Sequence, residues 1–130
     1  MKESAQPRIP LYLGKEIRCY RVNGRGGKRL LIEAGDFAYT LEELKVLLLA
    51  CDGKTLAQTD SLRGTDGSRN MRYRLRKRNN GTHLTRLYEN ARHHELVYPF
   101  VIEGLETLLK HDRTRYPRKP AASRLLAEMR

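Results

Sequence analysis

Apolar residues recur with two different periods along this chain, first every second position and later every three or four positions. Residues 15–22 alternate with a period of two, which predicts a strand with one buried face. The glycine-rich segment 23–27 is typical of the turn that closes a hairpin, and residues 28–33 would form the returning strand. From residue 40 onward apolar residues recur every three or four positions, which predicts amphipathic helices. The pattern therefore predicts an α+β fold, mainly α, with an N-terminal β-hairpin, a bundle of helices and a basic C-terminal tail.

Capping and turn residues divide the helical part into four predicted helices. Thr40 and Glu43 have the spacing of a capping box, so we expect a helix to begin at Thr40 and to stop before Gly53. Ser68 is the expected N-cap of the third helix. The predicted helices cover residues 40–51, 54–62, 68–78 and about 82–96. The residues of the second helix that we expect to face inward are Leu56, Ala57 and Leu62.

The remaining C-terminal residues predict less regular structure. Residues 97–102 are apolar and favour β structure, and Pro99 favours an edge strand or an extended connector. Residues 104–111 predict a short helix. At 130 residues the chain fits one domain, with short segments at either end. The predicted divisions are an arm over 1–14, a domain over 15–111 that contains the hairpin 15–33 and the helices 40–96, and a basic tail over 112–130.

The predicted helix 68–78 has an unusual composition, with six basic residues among eleven and no acidic residue. At 100° per residue Met71 and Leu75 share one side, so burying them turns the opposite side toward solvent. The residues on that opposite side are Arg69, Arg72, Tyr73 and Arg76. Arginine forks pair with phosphate oxygens and with the guanine edge in the major groove. The stripe therefore predicts a DNA-reading face, and a solvated basic face without a ligand is the alternative interpretation.

Helices in this order form the skeleton of a helix-turn-helix domain, in which two helices support a third that enters the major groove. In this hypothesis the exposed stripe contacts bases, while flanking residues hold phosphates. The residues of the helix expected to hold phosphates are Ser68, Arg74, Lys77 and Arg78. Further contacts to the nucleic-acid backbone are expected at the hairpin tip and in the tail, from Arg25, Lys28, Arg115, Arg118 and Lys119.

The overall charge favours the same class of partner. The net charge is +11 and the sequence pI is about 10.1, which indicates a polyanionic partner, most often nucleic acid. An acidic protein or an anionic membrane surface would also suit this charge. The sequence contains no apolar run long enough to span a membrane and no apolar signal core near residue 1. With only Cys19 and Cys51, both expected to be reduced, we expect a cytoplasmic protein.

Two segments of the predicted helical region resemble a known family. The run Leu41-Glu42-Glu43-Leu44-Lys45-Val46-Leu47-Leu48-Leu49-Ala50, followed by Gly53, resembles the opening helix of GerE/LuxR-type helix-turn-helix domains. His94-Glu95-Leu96-Val97 resembles the close of the fourth helix of that domain, so the resemblance spans residues 39–97. Residues 68–75 also resemble the recognition helix of winged helix-turn-helix regulators, in which a strand hairpin after the helix forms the wing. Either resemblance implies a DNA-binding regulator.

Other chemistry finds little support in the sequence. His93 and His94 are neighbours on a predicted helix and point about 100° apart, so chelation of one metal ion is not expected. Cys51 lies on the apolar stripe of the first helix, which favours core packing over a thiol nucleophile. No set of acids, bases or nucleophiles converges at a spacing typical of catalysis. We therefore expect neither an enzyme nor a metal or cofactor.

These patterns together favour a cytoplasmic, sequence-specific double-stranded DNA-binding protein, such as a transcriptional regulator of a bacterium or a mobile element. A homodimer is expected, formed through the hairpin or through the helix around residues 105–109, with RNA polymerase or another DNA-bound protein as a further partner. One alternative is an accessory DNA-binding protein of a relaxosome or a recombination complex. The other is an RNA-binding protein that uses residues 15–33 and the tail.

Overall fold

The computed structural model describes residues 8–24 and 27–112. The N-terminal part is a four-stranded antiparallel sheet in which each strand pairs with the next along the chain. The strands are β1 (Ile9–Leu13), β2 (Ile17–Gly24), β3 (Gly27–Ala34) and β4 (Phe37–Thr40). Five helices follow, namely α1 (Leu41–Cys51), α2 (Leu56–Arg63), α3 (Ser68–Arg78), α4 (Leu84–His93) and α5 (Pro99–Lys110). The predicted α+β class, mainly α, is confirmed.

The sheet contains the predicted hairpin, formed by β2 and β3, together with two strands that the pattern did not reveal. Residues 1–14 were expected to form an arm, whereas Ile9–Leu13 form the edge strand β1. Pro10 cannot donate a ladder hydrogen bond, and the pairing of β1 with β2 shifts between Pro10 and Tyr12. Proline is tolerated at such a position because an edge strand has one unpaired side. The short strand β4 leads directly into α1.

The helix ends follow local capping chemistry. Thr40 and Glu43 form the predicted capping box of α1, with the Thr40 hydroxyl accepting from the Glu43 amide and the Glu43 carboxylate accepting from the Thr40 amide. A second capping box, formed by Thr55 and Gln58, begins α2. This second box places the start of α2 two residues later than the sequence pattern predicted. The predicted bounds of α3 are confirmed.

The C-terminal helix α5 corrects the prediction for residues 97–102. Pro99 was expected to mark an edge strand or a connector, but it occupies the first turn of α5, where its missing amide hydrogen costs nothing. The chain reaches this helix through a turn in which Glu95 has a φ of 63°. This left-handed residue ends α4 at His93, earlier than the predicted end near Leu96. Within the described residues, no helix combines the length and the apolar character needed to cross a membrane.

The core lies between one face of the sheet and helices α1, α3 and α4. Alternation along the paired strands β2 and β3 brings Cys19 and Ile32 to the buried face. In this core the Tyr39 hydroxyl donates a hydrogen bond to the Leu87 carbonyl and accepts one from the side-chain amide of Asn90. Burial raises the pKa of Tyr39 to about 12, so the phenol remains neutral at physiological pH. The fully buried apolar side chains of the helices are Leu44, Val46, Leu47, Leu75, Leu87 and Ala91.

Helix α2 contributes little apolar surface to this core, contrary to expectation. Leu62 is 63% exposed and Ala57 is also exposed, so the prediction that both face inward was wrong. The fully buried side chain of α2 is instead Thr59, whose hydroxyl donates to the Thr55 carbonyl. Helix α2 is thus a short helix whose fully buried side chain is polar.

The two cysteines differ in a way that chemical labelling can test. Cys19 is buried, and burial raises the pKa of its thiol to about 11. Cys51 was expected in the core, but it is exposed at the end of α1, and partial burial raises the pKa of its thiol while Arg72 opposes that rise. Because the thiolate is the nucleophile, we expect a maleimide to modify Cys51 in the folded protein, faster as the pH rises, and to spare Cys19. Mass spectrometry of Cys51→Ser should show no modification until denaturant is added, and rapid labelling of that variant would contradict the fold.

Candidate nucleic-acid interface

Helix α3 presents a basic outer face. Arg69, Tyr73 and Arg76 are exposed, as the 100° spacing predicts for the side opposite the buried Leu75. Tyr73 is 63% exposed, so its ring is accessible to a ligand. The Lys77 ammonium lies 5.8 Å from the centre of the Tyr73 ring, a distance that suits a cation–π contact. The outer face therefore combines planar guanidinium groups with an aromatic ring.

The opposite face of α3 is fixed to the body of the protein. Leu75 is fully buried and Met71 is half-buried. At the end of the helix Asn79 is buried, and its side-chain amide accepts from the Ala38 amide and donates to the carbonyls of Ala38 and Leu75. Asn79 thus pairs with β4 as a neighbouring strand would, and it fixes the C-terminal end of α3 against the sheet. A helix held in this way presents its outer face in one orientation.

The N-terminal end of α3 is fixed by polar contacts with α2. The turn between the two helices begins at Gly64 and ends at Gly67, and both glycines have positive φ values. Asp60 caps α3 by accepting a hydrogen bond from the Ser68 amide at 3.0 Å. Hydrogen bonding with the Ser68 side chain, and after it with the Ser68 amide, lowers the pKa of Asp60. Arg63 donates to the Ser68 hydroxyl at 2.9 Å and to the Glu42 carboxylate at 3.3 Å. These contacts set the angle at which α3 leaves α2.

Ser68 was expected to cap α3 and to hold a phosphate, and the structure corrects both expectations. The N-cap position belongs to Gly67, and Ser68 is the first residue of the helix. Its side chain is fully buried beside Arg63 and cannot reach a ligand. Ser68 therefore belongs to the scaffold that orients the helix.

Two arginines of α3 that were expected to contact DNA are engaged within the protein. Arg78 is paired with the buried carboxylate of Glu43 on α1. Arg72 is half-buried, and its guanidinium donates to the Lys54 carbonyl at 3.4 Å. Arg74 and Lys77 are exposed. Arg72 and Arg78 therefore differ from Arg74 and Lys77 in that their guanidinium groups have partners within the protein.

The hairpin lies close to α3, although it is distant in sequence. Lys28 and Met71 line the same small cleft, together with Leu109 of α5. The exposed ammonium of Lys28 donates to the Asp112 carbonyl at 3.0 Å, and the Asp112 carboxylate forms an ion pair of 3.0 Å with the buried Arg21. The chain therefore leaves α5 beside the hairpin. The remaining basic residues that were expected to contact nucleic acid lie outside the described residues, namely Arg25, Arg115, Arg118 and Lys119.

Two exposed asparagines belong to this surface and were missed in the sequence. Asn70 lies in the first turn of α3 beside Arg69, and a carboxamide can make two hydrogen bonds with an adenine edge. Asn80 follows the helix with a φ of 60° and shares a shallow cleft with Tyr73 and Arg76. The signal for Asn70 was its position one residue after Arg69 at the start of the helix. Asn80 could not have been placed, because its position depends on the left-handed turn.

The described part of the chain after α3 continues directly into α4 and contains no strand. In the described residues α1 to α4 therefore follow one another without an intervening strand, and no strand hairpin follows α3. Comparison of the chain with models of protein families, with curated proteins and with solved structures finds no match.

Proposed function

We propose that this protein binds double-stranded DNA in a sequence-specific manner and uses α3 as its recognition helix. The observation that carries the proposal is the exposed row of Arg69, Tyr73 and Arg76 on a helix whose other face is buried. Helices α1 and α2 support α3 as the first two helices of a helix-turn-helix motif do, and the turn before α3 contains glycine, as is common in that motif.

The dimensions of α3 suit the major groove. Its 11 residues give a rod about 16 Å long, and a helix with side chains is about 10–12 Å wide, which matches the width of the groove. Arginine pairs with the guanine edge and asparagine with the adenine edge, so Arg69 and Asn70 at the leading end of the helix supply the side chains that distinguish base pairs. An acidic protein partner would use the charge but would not require this mixture of forked and amide groups.

The surrounding cations supply contacts with the DNA backbone. Arg74 and Lys77 flank the outer face, and Lys28, beside Met71 on the other side of α3, is a further candidate for a backbone contact from the hairpin. In this proposal Arg115, Arg118 and Lys119 of the tail contact phosphates. These contacts add affinity that does not depend on DNA sequence and that falls as the salt concentration rises. The phosphate contacts position the protein, and the α3 stripe selects the site.

The role we propose is transcriptional regulation, with the chain acting as a homodimer on a two-fold symmetric site. Two recognition helices related by such symmetry contact half-sites about 34–36 Å apart. A DNA-binding accessory protein of a recombination or transfer complex would use the same surface, and the location of its sites separates the two roles. Sites upstream of promoters favour regulation, whereas a single site at a transfer or recombination origin favours the accessory role.

Selection of bound fragments from a random duplex library tests the proposal. The full chain is used at about 0.15 M salt, where attraction between exposed charges of the protein and the DNA phosphates is partly screened. Under these conditions we expect one enriched motif with repeated half-sites. We also expect log Kd for that motif to change with log salt by about 0.9 for each phosphate contact. A matched single-stranded RNA library is the control. Retention of duplexes without enrichment, or preference for the RNA library, would contradict sequence-specific duplex binding.

A further inference from the structure

A second group of side chains lies at the C-terminal end of α4. Glu16, in the turn between β1 and β2, approaches His93 and His94 at the end of α4, and the nearest donor atoms of the three all lie within 4.8 Å of one another. The three residues come from two parts of the chain that are 77 positions apart or more. A cluster with this composition contains two imidazoles and one carboxylate, which is a ligand set that Zn²⁺ accepts.

The end of α4 explains how two neighbouring histidines can converge. His93 is the last residue of the helix and His94 is its C-cap, so the backbone leaves the helical path between them. Glu95 then adopts a φ of 63°, which turns the chain back. As a result the two rings lie edge to face with 4.8 Å between their centroids. The expectation that helical geometry would keep these rings apart does not apply at a helix end.

His94 is the fixed member of the cluster. Its side chain is only 7% exposed, and its Nδ1 is buried without a hydrogen-bond partner among the described residues. That nitrogen lies 3.3 Å from a carboxylate oxygen of Glu16, in a geometry that does not make a hydrogen bond. The other ring nitrogen faces Gly35, where a Cβ would approach it to 3.3 Å. A buried nitrogen that lacks a partner and faces a carboxylate is what a metal ion would satisfy.

We propose that Glu16, His93 and His94 bind one Zn²⁺ ion, which links the β1–β2 turn to the end of α4. Ligand atoms around tetrahedral zinc lie about 3.3 Å apart, since each metal–ligand bond is about 2.0–2.2 Å long. The cluster therefore has to contract by about 1.5 Å, and the exposed side chains of Glu16 and His93 can do this by rotating toward His94. Three protein ligands leave a fourth position for water. Because the ion binds the folded chain, the stability of the fold depends on zinc concentration.

Titration of the full, chelator-treated chain with ZnCl₂ near neutral pH tests the site. We expect one zinc ion per chain by calorimetry and a rise in Tm, with no effect of Mg²⁺, which prefers oxygen ligands. Replacement of Zn²⁺ by Co²⁺ should produce the visible absorption of a tetrahedral ion. Because Glu16 and His93 are exposed, Glu16→Gln and His93→Ala should keep the fold while weakening zinc binding by a factor of about 10 or more.

His111, exposed at the end of α5, supplies the matched control. The variant His111→Ala removes one of the four histidines and should leave zinc affinity and the cobalt spectrum unchanged. The proposal fails if zinc does not bind, or if His111→Ala lowers the affinity as much as His93→Ala does. It also fails if Glu16→Gln and His93→Ala both bind zinc as tightly as the unaltered chain. Each of these results is independent of duplex binding.

Discussion

The double substitution Arg69→Ala and Arg76→Ala is expected to reduce affinity for the selected duplex by a factor of about 10² to 10⁴. Each guanidinium that pairs with a base edge contributes about 1–3 kcal/mol, and the two residues lie about two turns apart on the same outer face. Neither residue is buried, so the folded state should retain its Tm. Fluorescence anisotropy against the selected motif and against a scrambled duplex measures the change. Affinity for the scrambled duplex should fall much less, because phosphate contacts supply most of that binding.

The matched control removes the same charge from another helix. Arg86 and Arg92 are exposed on α4, so Arg86→Ala with Arg92→Ala lowers the net charge by the same two units. We expect this control to weaken duplex binding by less than about threefold at moderate salt, because screened charges outside the interface contribute little. Equal losses in the two double variants would show that total charge governs binding. That result would contradict a recognition helix and would favour an interface spread over the whole surface.

The position of the candidate interface could be predicted from sequence because it depends on local periodicity. Met71 and Leu75 on one side of eleven consecutive residues define which side of the helix is buried, and the bounds of α3 agree with that pattern. The capping box of α1 is equally local, since Thr40 and Glu43 are three residues apart. Features of this kind need only the geometry of one helix.

The roles of individual side chains in α3 could not be predicted, since they depend on partners distant in sequence. Ser68 is buried because Asp60 and Arg63 reach it across the turn from α2. Arg78 faces α1 because Glu43 is there to receive it, 35 positions earlier in the chain. A periodicity argument assigns a face to each residue but does not show which exposed cation has a counter-ion. Arg78 was therefore expected to hold a phosphate, whereas in the structure it is paired with Glu43.

The start of α5 shows a different limit. Pro99 follows an apolar run, and the same residue type is typical of an edge strand, a connector or the first turn of a helix. The choice depends on whether the following apolar residues can cover the core. In the structure Val101, Ile102 and Leu105 pack against the buried cluster, and this tertiary contact favours the helix. Sequence alone contains no local signal that decides between these outcomes.

Glu43→Ala is expected to lower the free energy of unfolding by about 2–4 kcal/mol, the largest loss of stability we expect from a single polar substitution. The Glu43 side chain is only 2% exposed, and its carboxylate accepts hydrogen bonds from the Thr40 amide and from the Arg78 guanidinium. The substitution removes the carboxylate half of the capping box, although the Thr40 hydroxyl still caps the helix, and it leaves a partly buried arginine without its counter-ion. The guanidinium of Arg78 can still reach solvent, since its side chain is 33% exposed, so the expected loss lies below that of a fully buried pair. Urea denaturation followed by circular dichroism measures the change.

A double-mutant cycle separates this bracing role of Arg78 from the phosphate contact that its sequence position suggests. If the pair with Glu43 stabilises the fold, Arg78→Ala and Glu43→Gln should couple by about 1–2 kcal/mol. The neighbouring Lys77 is exposed, and Lys77→Ala should change stability by less than about 0.5 kcal/mol while it weakens duplex binding. Arg78→Ala should do the reverse, because a guanidinium held by a carboxylate is not free to neutralise a phosphate. A loss of duplex affinity in Arg78→Ala without any coupling to Glu43 would place Arg78 in the interface and leave Asn79 and the buried Leu75 to anchor the C-terminal end of α3.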